Sequence, residues 1–192
     1  MTDMLTIEAP TITSTYDQMH FAIIRIIHEN LYGLLVDPYG RLTQAGLRGG
    51  QRVIEVGCGP GYFTIPAAKI VGEAGYVYAL DINPAAVEHV RQKIMRAGLP
   101  NVEVKLADAR ATGLREESVD LAFLFSVIHS FKNLNELLTE MHRVLKTHGI
   151  LSIQSRLPEA KMREAIAANR LFNFREEAKR VLVFEKTEAN NS

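Results

Sequence analysis

The chain has 192 residues, of which 47% are hydrophobic and 23% charged, a composition that fits one globular domain with a core of its own. Lysine plus arginine and aspartate plus glutamate both count 22, so no basic excess argues for a nucleic-acid partner. The single cysteine, Cys58, excludes an intramolecular disulfide and a multi-cysteine metal site.

The N-terminal region is expected to be helical. It has neither the basic segment nor the long apolar core of a signal peptide, and its apolar cluster at residues 21–27 is too short to span a bilayer, so we expect a soluble cytoplasmic protein. Apolar residues recur at helical spacing over residues 15–36. That stripe consists of Tyr16, Met19, Ile23, Ile26, Ile27, Leu31 and Leu34.

After this helix, which Asp37-Pro38 is expected to end, strand and helix patterns alternate. The predicted strands are residues 52–57, 75–80, 101–108, 118–125 and 149–155, and the predicted helices are residues 42–47, 62–71, 84–97, 134–146 and 158–170. The fourth strand, SVDLAFLF, is apolar enough for the centre of a sheet. Residues 171–174 and 180–186 are expected to form an antiparallel hairpin around the polar segment REEAK.

This alternation predicts an α/β fold. We expect a doubly wound, mostly parallel, seven-stranded Rossmann-like sheet with an antiparallel C-terminal hairpin strand and an N-terminal helical extension. The expected division is a helical extension or lid at residues 1–50, a cofactor-binding domain at residues 51–187 and a disordered tail at residues 188–192. Ligands of such sheets bind at the carboxyl ends of the strands.

A glycine-rich turn follows the first strand, at the place where a ligand is expected. The segment VIEVGCGPG contains Gly57, Gly59 and Gly61, which would let a ligand approach the backbone closely. A dinucleotide fingerprint starting at Gly57 requires a glycine at position 62, where Tyr62 stands instead. The spacing therefore disfavours a dehydrogenase, although Asp81, 20 residues after Gly61, fits either class.

VIEVGCGPG resembles the first motif of class I S-adenosylmethionine-dependent methyltransferases. VYALDI, VKLADA and SVDLAFLFSVIH resemble the three strands that follow, and EMHRVLKTHGILSI resembles the next helix, turn and strand, with KTHG in place of the commoner Lys-Pro-Gly-Gly. The ordered match covers about residues 50–186. It is most similar to the small-molecule type that includes the ubiquinone and menaquinone methyltransferases.

The resemblance implies an enzyme that binds S-adenosyl-L-methionine and transfers its methyl group to a small molecule by in-line displacement. It implies that Glu55 opposes the cationic end of the cofactor, that Asp81 accepts from the ribose hydroxyls, and that Asp108 accepts from the adenine amine. The full expected set of cofactor-binding residues is Glu55, Gly57, Cys58, Gly59, Gly61, Tyr62, Asp81, Ile82, Asp108, Ala109 and Ser126. No metal is expected.

The acceptor is expected beside the segment that follows the fourth strand, residues 126–131. His129 is the candidate general base there, or a histidine that only packs near the cofactor. Tyr16, His20 and Phe131 are expected to line the pocket, with the N-terminal helix acting as a lid or, alternatively, as a docking or homodimer face. Two other functions stay open: a non-catalytic methyltransferase-like subunit, and an RNA methyltransferase.

Overall fold

The computed structural model describes residues 36–155 and 157–188. The elements in chain order are α1 (Pro38–Gln44), β1 (Arg52–Val56), α2 (Thr64–Val71), β2 (Tyr76–Asp81), α3 (Pro84–Arg96), β3 (Val102–Leu106), β4 (Val119–Phe125), a 3-10 helix (Ile128–Ser130), α4 (Leu134–Val144), β5 (Leu145–Gln154), α5 (Glu159–Ala167), β6 (Phe172–Ala178) and β7 (Val181–Lys186). Residues 15–35 of the predicted helix at residues 15–36, which include Tyr16 and His20, lie outside the described residues, as do residues 189–192 of the predicted tail.

The strands of the described ranges form one seven-stranded sheet in the order β3-β2-β1-β4-β5-β7-β6. β1 to β5 are parallel to one another, whereas β7 runs antiparallel to both β5 and β6 and lies between them. The fold class predicted from the sequence is therefore confirmed. Because the strand order reverses between β1 and β4, the carboxyl ends of these two strands flank the crevice where such folds bind ligands.

The core consists of two apolar layers, one on each face of the sheet. β4 is the central strand, as its composition predicts, and Leu121 to Leu124 are at most 1% exposed. Apolar residues of α1, α2 and α3 cover one face, together with Phe123 and Phe125 of β4. Residues of α4 and α5 cover the other face, together with Ala122 and Leu124. Both layers leave the carboxyl ends of the strands free to carry polar groups.

Helix α1 begins earlier than the sequence pattern predicts. It spans Pro38–Gln44 rather than residues 42–47, because the Asp37 carboxylate accepts the backbone N–H of Tyr39 at 3.0 Å and Pro38 occupies the first helical position. Asp37-Pro38 therefore starts a helix, which is a common use of a capping residue followed by proline.

Other boundaries also differ from the prediction. α2 begins at Thr64 instead of residue 62, and β5 begins at Leu145 instead of residue 149. The polar segment REEAK is not a loop, since β6 continues to Ala178 and the hairpin turns over Lys179 and Arg180. These two residues have φ values of 45° and 72°, the left-handed pair of a type I′ turn. Exposed polar residues on an edge strand resemble a loop in sequence, and Lys-Arg lacks the usual Asn-Gly signature of this turn.

Candidate cofactor and acceptor site

The glycine-rich turn begins directly after β1 and is held close to β2. The backbone N–H groups of Gly57 and Cys58 both donate to the carbonyl oxygen of Leu80, at 2.8 and 2.9 Å. Gly57 has φ 73°, and a Cβ there would lie 2.6 Å from Cγ2 of Val127, so this position cannot accept a side chain without movement. Gly57 therefore allows the turn after β1 to pack against the segment that follows β4.

Gly59 is the glycine of the turn that faces open space. Its φ is 49°, and a Cβ built on it would meet nothing within 4 Å. Its backbone N–H donates to Oδ2 of Asp81 at 2.8 Å, so the turn is tied to the end of β2. The space beside Gly59 is where a ligand can approach the backbone without a side chain in the way.

Asp81 is placed to bind hydroxyl groups while it holds the turn. Its second oxygen, Oδ1, accepts the backbone N–H of Asn83 at 2.9 Å, and each carboxylate oxygen keeps a lone pair for a further donor. Burial raises the pKa of Asp81, against the lowering effect of the backbone hydrogen bonds from Asn83 and Gly59. The arrangement suits a ligand that brings donors or positive charge to this carboxylate.

Glu55 lies beneath the turn and is 3% exposed. Its Oε2 accepts a hydrogen bond from the Thr64 hydroxyl at 2.6 Å, at the start of α2. Burial raises the pKa of Glu55 to about 8, the hydrogen bond from Thr64 opposes that rise, and the negative charge of Asp81 adds to it. A buried carboxyl group beside a second acid is stabilised in its ionised form by a cation, so this end of the site favours a cationic group.

Cys58 and Tyr62, also predicted for the site, have structural contacts. The Cys58 side chain is 4% exposed, and burial raises the pKa of its thiol well above the usual value. It therefore remains a protonated thiol and is unsuited to act as a nucleophile. The Tyr62 hydroxyl donates to the carbonyl oxygen of Val36, and its ring meets the Phe63 ring edge-on at 5.0 Å. Tyr62 thus ties Val36, the first described residue, to the segment that follows the glycine turn.

The ends of β2 and β3 form the next part of the crevice. Ile82 is 70% exposed, and Leu106, whose backbone pairs with Asp81, is 40% exposed. Two exposed apolar side chains at neighbouring strand ends provide a surface for a flat, apolar ring. Leu106 was not predicted for the site, although its place two residues before Asp108 at the end of β3 is the signal that points to it.

Asp108 has a partner that the sequence analysis did not anticipate. The Arg110 guanidinium donates to both of its oxygens, with the shortest contact 2.6 Å from Nη2 to Oδ2, and Arg110 also contacts Glu136 of α4 at 3.1 Å. This hydrogen bonding lowers the pKa of Asp108. The carboxylate is thus kept ionised, but a ligand amine would share it with Arg110. Ala109 is 4% exposed and packs in the core between these residues.

The segment after β4 closes the opposite side of the crevice. Ser126 has φ 60°, rare for a residue with a side chain, and its backbone N–H donates to the carbonyl oxygen of Gln154 at 2.9 Å. His129 is exposed on the 3-10 helix, and Phe131 at its end is half-buried against the core. The structure thus places Ser126 beside the strand ends and His129 at the surface, three residues farther along the chain.

Thr64 and Gln154 are further polar residues of the site region that the sequence analysis missed. Thr64 was assigned to the interior of a predicted helix, and Gln154 to the end of an apolar strand, so neither stood out. Within residues 36–155 and 157–188, no group of three or more His, Cys, Asp or Glu side chains could hold a metal ion. No helix of the same residues is long and apolar enough to cross a membrane.

Comparison with known proteins shows the family. A family model described as a methyltransferase domain matches residues 47–186. Aklanonic acid methyltransferase DauC of Streptomyces sp. (strain C5) is 39% identical over 80 residues, which is 41% of this chain and 36% of that protein. The ubiquinone/menaquinone biosynthesis C-methyltransferase UbiE of Escherichia coli is 28% identical over 152 residues, which is 79% of this chain and 58% of that protein.

A crystal structure of a SAM-dependent methyltransferase from Aquifex aeolicus aligns with a TM-score of 0.73 at 25% identity and covers 88% of this chain and 96% of that one. The curated relatives are longer than the matched region, since the alignments span only 36–58% of their length.

Proposed function

Since the chain belongs to the class I S-adenosylmethionine-dependent methyltransferases, we propose that it transfers a methyl group from this cofactor to a small-molecule acceptor. The observation that carries the proposal is the pairing of the open glycine turn with two buried or half-buried carboxylates, Glu55 and Asp81. A site retained only for assembly would have no need of this combination.

The residues fit the cofactor in charge and in shape. S-adenosylmethionine carries an ammonium and a sulfonium group, and Glu55 is a buried carboxyl group that a nearby cation would stabilise as a carboxylate. Asp81 has lone pairs left for the ribose hydroxyls, and the free space beside Gly59 admits the ligand next to the backbone. Ile82 gives the adenine ring an exposed apolar surface. When bound, the cofactor supplies a methyl group already activated by the sulfonium.

The protein's own contribution is alignment and exclusion of water. Asp81 and the glycine turn fix one half of the ligand, and Ser126 fixes the position of the segment that faces the acceptor. Holding the two reactants in line can supply several kcal/mol of the barrier reduction. His129 remains the candidate base for an acceptor that loses a proton, and its exposure leaves it accessible to one.

The small-molecule acceptor is supported by the relatives and by charge. The two curated proteins described above act, by their names, on aklanonic acid and in ubiquinone and menaquinone biosynthesis. A formal net charge of zero gives no general attraction for RNA. The proposal includes a lid formed by residues 15–36, with Tyr16 and His20 towards the methyl group.

Transfer of a deuterated methyl group tests the function. The full chain is incubated with trideuteromethyl-labelled cofactor and a small-molecule extract, and products heavier by the labelled methyl group are sought by mass spectrometry. We expect labelled product from the wild type and a large loss of labelled product with Asp81→Ala. Calorimetry measures the binding of S-adenosylhomocysteine to both proteins. Binding without product, together with a stable protein partner, would favour a non-catalytic subunit. Label found in RNA would favour an RNA methyltransferase.

A further inference from the structure

The side chain of Gln154 has a buried oxygen atom with no hydrogen-bond partner. Gln154 is the last residue of β5 and is 8% exposed. Its Oε1 has no donor within reach in the part of the chain that the structure describes. A buried amide oxygen that has lost its hydration and gained no partner destabilises the folded state, so its retention needs a reason.

Gln154 lies next to the acceptor side of the crevice. Its backbone pairs with Phe125, and its carbonyl oxygen accepts the N–H of Ser126 at 2.9 Å. The Phe125 ring in turn meets the ring of Phe63, at the start of α2 just after the glycine turn, with centroids 4.9 Å apart. Phe63, Phe125 and Gln154 therefore form a continuous row from the glycine turn to the end of β5.

The strand pleat shows which face of the sheet the side chain occupies. Side chains two residues apart on a strand share a face. The Ser152 hydroxyl donates to the carbonyl oxygen of Ala45 at 2.6 Å, just after α1, so Gln154 shares the face covered by α1. It lies two residues closer to the carboxyl end of β5 than Ser152, where the apolar layer that includes α1 meets the crevice.

Two comparisons argue that the amide is not there for folding. The backbone of Gln154 already makes its sheet contacts, so the fold does not use the side-chain oxygen. Buried atoms without a partner also occur at Gln44, the last residue of α1, and at Asn169, after α5. Gln154 differs from these two residues because it lies at the carboxyl end of β5, next to the strand ends that form the proposed site.

We propose that Gln154 is a specificity-determining residue whose amide oxygen accepts a hydrogen bond from an O–H or N–H group of the methyl acceptor. The inference rests on the proposed function and narrows it, because the acceptor must carry such a donor close to the atom that is methylated. Acceptors without one leave the amide oxygen unpaired, and sites of this kind discriminate strongly against ligands that lack the donor.

The experiment compares Gln154→Met with Gln44→Met, a matched variant that removes the same group from α1. Gln154→Met should unfold at the same or a higher urea concentration than the wild type and bind S-adenosylhomocysteine within about twofold. With the acceptor found by labelled methyl transfer, its kcat/KM should fall at least about tenfold, whereas Gln44→Met should keep the wild-type value. When the donor group of the acceptor is blocked by methylation, the kcat/KM of the wild type should fall about tenfold, whereas that of Gln154→Met should change little.

Several results would overturn the inference. A lowered urea midpoint for Gln154→Met alone would mean that the amide stabilises the fold through a partner. Unchanged turnover by Gln154→Met, or equal losses in both variants, would remove the specific role while the proposed function stands. A wild type that methylates only compounds without O–H or N–H groups would do the same. A wild type that forms no product at all refutes the proposed function and this inference with it.

Discussion

Replacing Glu55 by glutamine should stabilise the cofactor-free protein at alkaline pH. Glu55 is 3% exposed and its pKa is raised by burial to about 8, against 4.5 for the exposed group. The folded state therefore binds a proton that the unfolded chain releases between these two pH values. Glutamine keeps the shape of the side chain and an oxygen that accepts from the Thr64 hydroxyl, but it cannot ionise.

The sign and size of the effect follow from linkage. Because the folded-state pKa lies above the unfolded one, the group disfavours folding increasingly as the pH rises from 4.5, and the whole penalty is present above 8. At 1.36 kcal/mol per pH unit, this window of roughly 3.5 units corresponds to about 5 kcal/mol. The difference in unfolding free energy between Glu55→Gln and the wild type should therefore grow by about 1.4 kcal/mol per pH unit between pH 5 and 8.

Urea denaturation without cofactor at pH 5.5, 7.0 and 8.5 measures this difference. Glu73→Gln, a change at an exposed glutamate in the turn after α2, is the control. The difference in unfolding free energy between this variant and the wild type should be the same at all three pH values. A difference for Glu55→Gln that stays constant across the three pH values would refute the neutral buried carboxyl group. Greater destabilisation of Glu55→Gln at pH 8.5 than at pH 5.5 would show that the ionised form is the stabilised one.

Further substitutions test the crevice and the hairpin. Asp81→Ala should weaken S-adenosylhomocysteine binding by about 1–3 kcal/mol in calorimetry, and an unchanged affinity would contradict its ribose role. Gly59→Ala should stay folded but bind the ligand at least about tenfold more weakly. Gly57→Ala should have the lower urea midpoint of the two, because its Cβ would lie 2.6 Å from a side-chain carbon. The reverse order of the urea midpoints would refute the assignment of open space to Gly59. Exchanging Lys179-Arg180 for Asn-Gly should raise stability by about 1 kcal/mol, and a lowered melting temperature would contradict the type I′ turn.

The fold and the family could be predicted because their signals are local in the sequence. Glycines follow a buried strand, acids end the next two strands, and apolar runs alternate with helical stripes, so that Gly57, Asp81 and the central place of β4 follow from short segments. The resemblance to class I methyltransferases is confirmed by the family model. The roles of the individual site residues stay predictions.

The contacts that were missed depend on tertiary structure. Arg110 reaches Glu136 only because the loop after β3 passes α4, and 26 positions separate the two residues. The burial of Gln154 depends on the layer above β5, and its sequence context is an ordinary strand end. The Lys179-Arg180 turn escapes detection because its backbone conformation is imposed by the pairing of β6 with β7, and not by the residues themselves.

The position of β7 between β5 and β6 also bears on how the protein is made. On the ribosome, the outer edge of β5 has no neighbour until Lys186 has been added, 32 residues after Gln154. At about 5–20 residues per second this takes about 2–6 s. During that interval a largely apolar strand offers unpaired backbone groups to other nascent chains. Slower translation over these 32 codons should therefore lengthen the time for which this edge is exposed, whatever the stability of the finished fold.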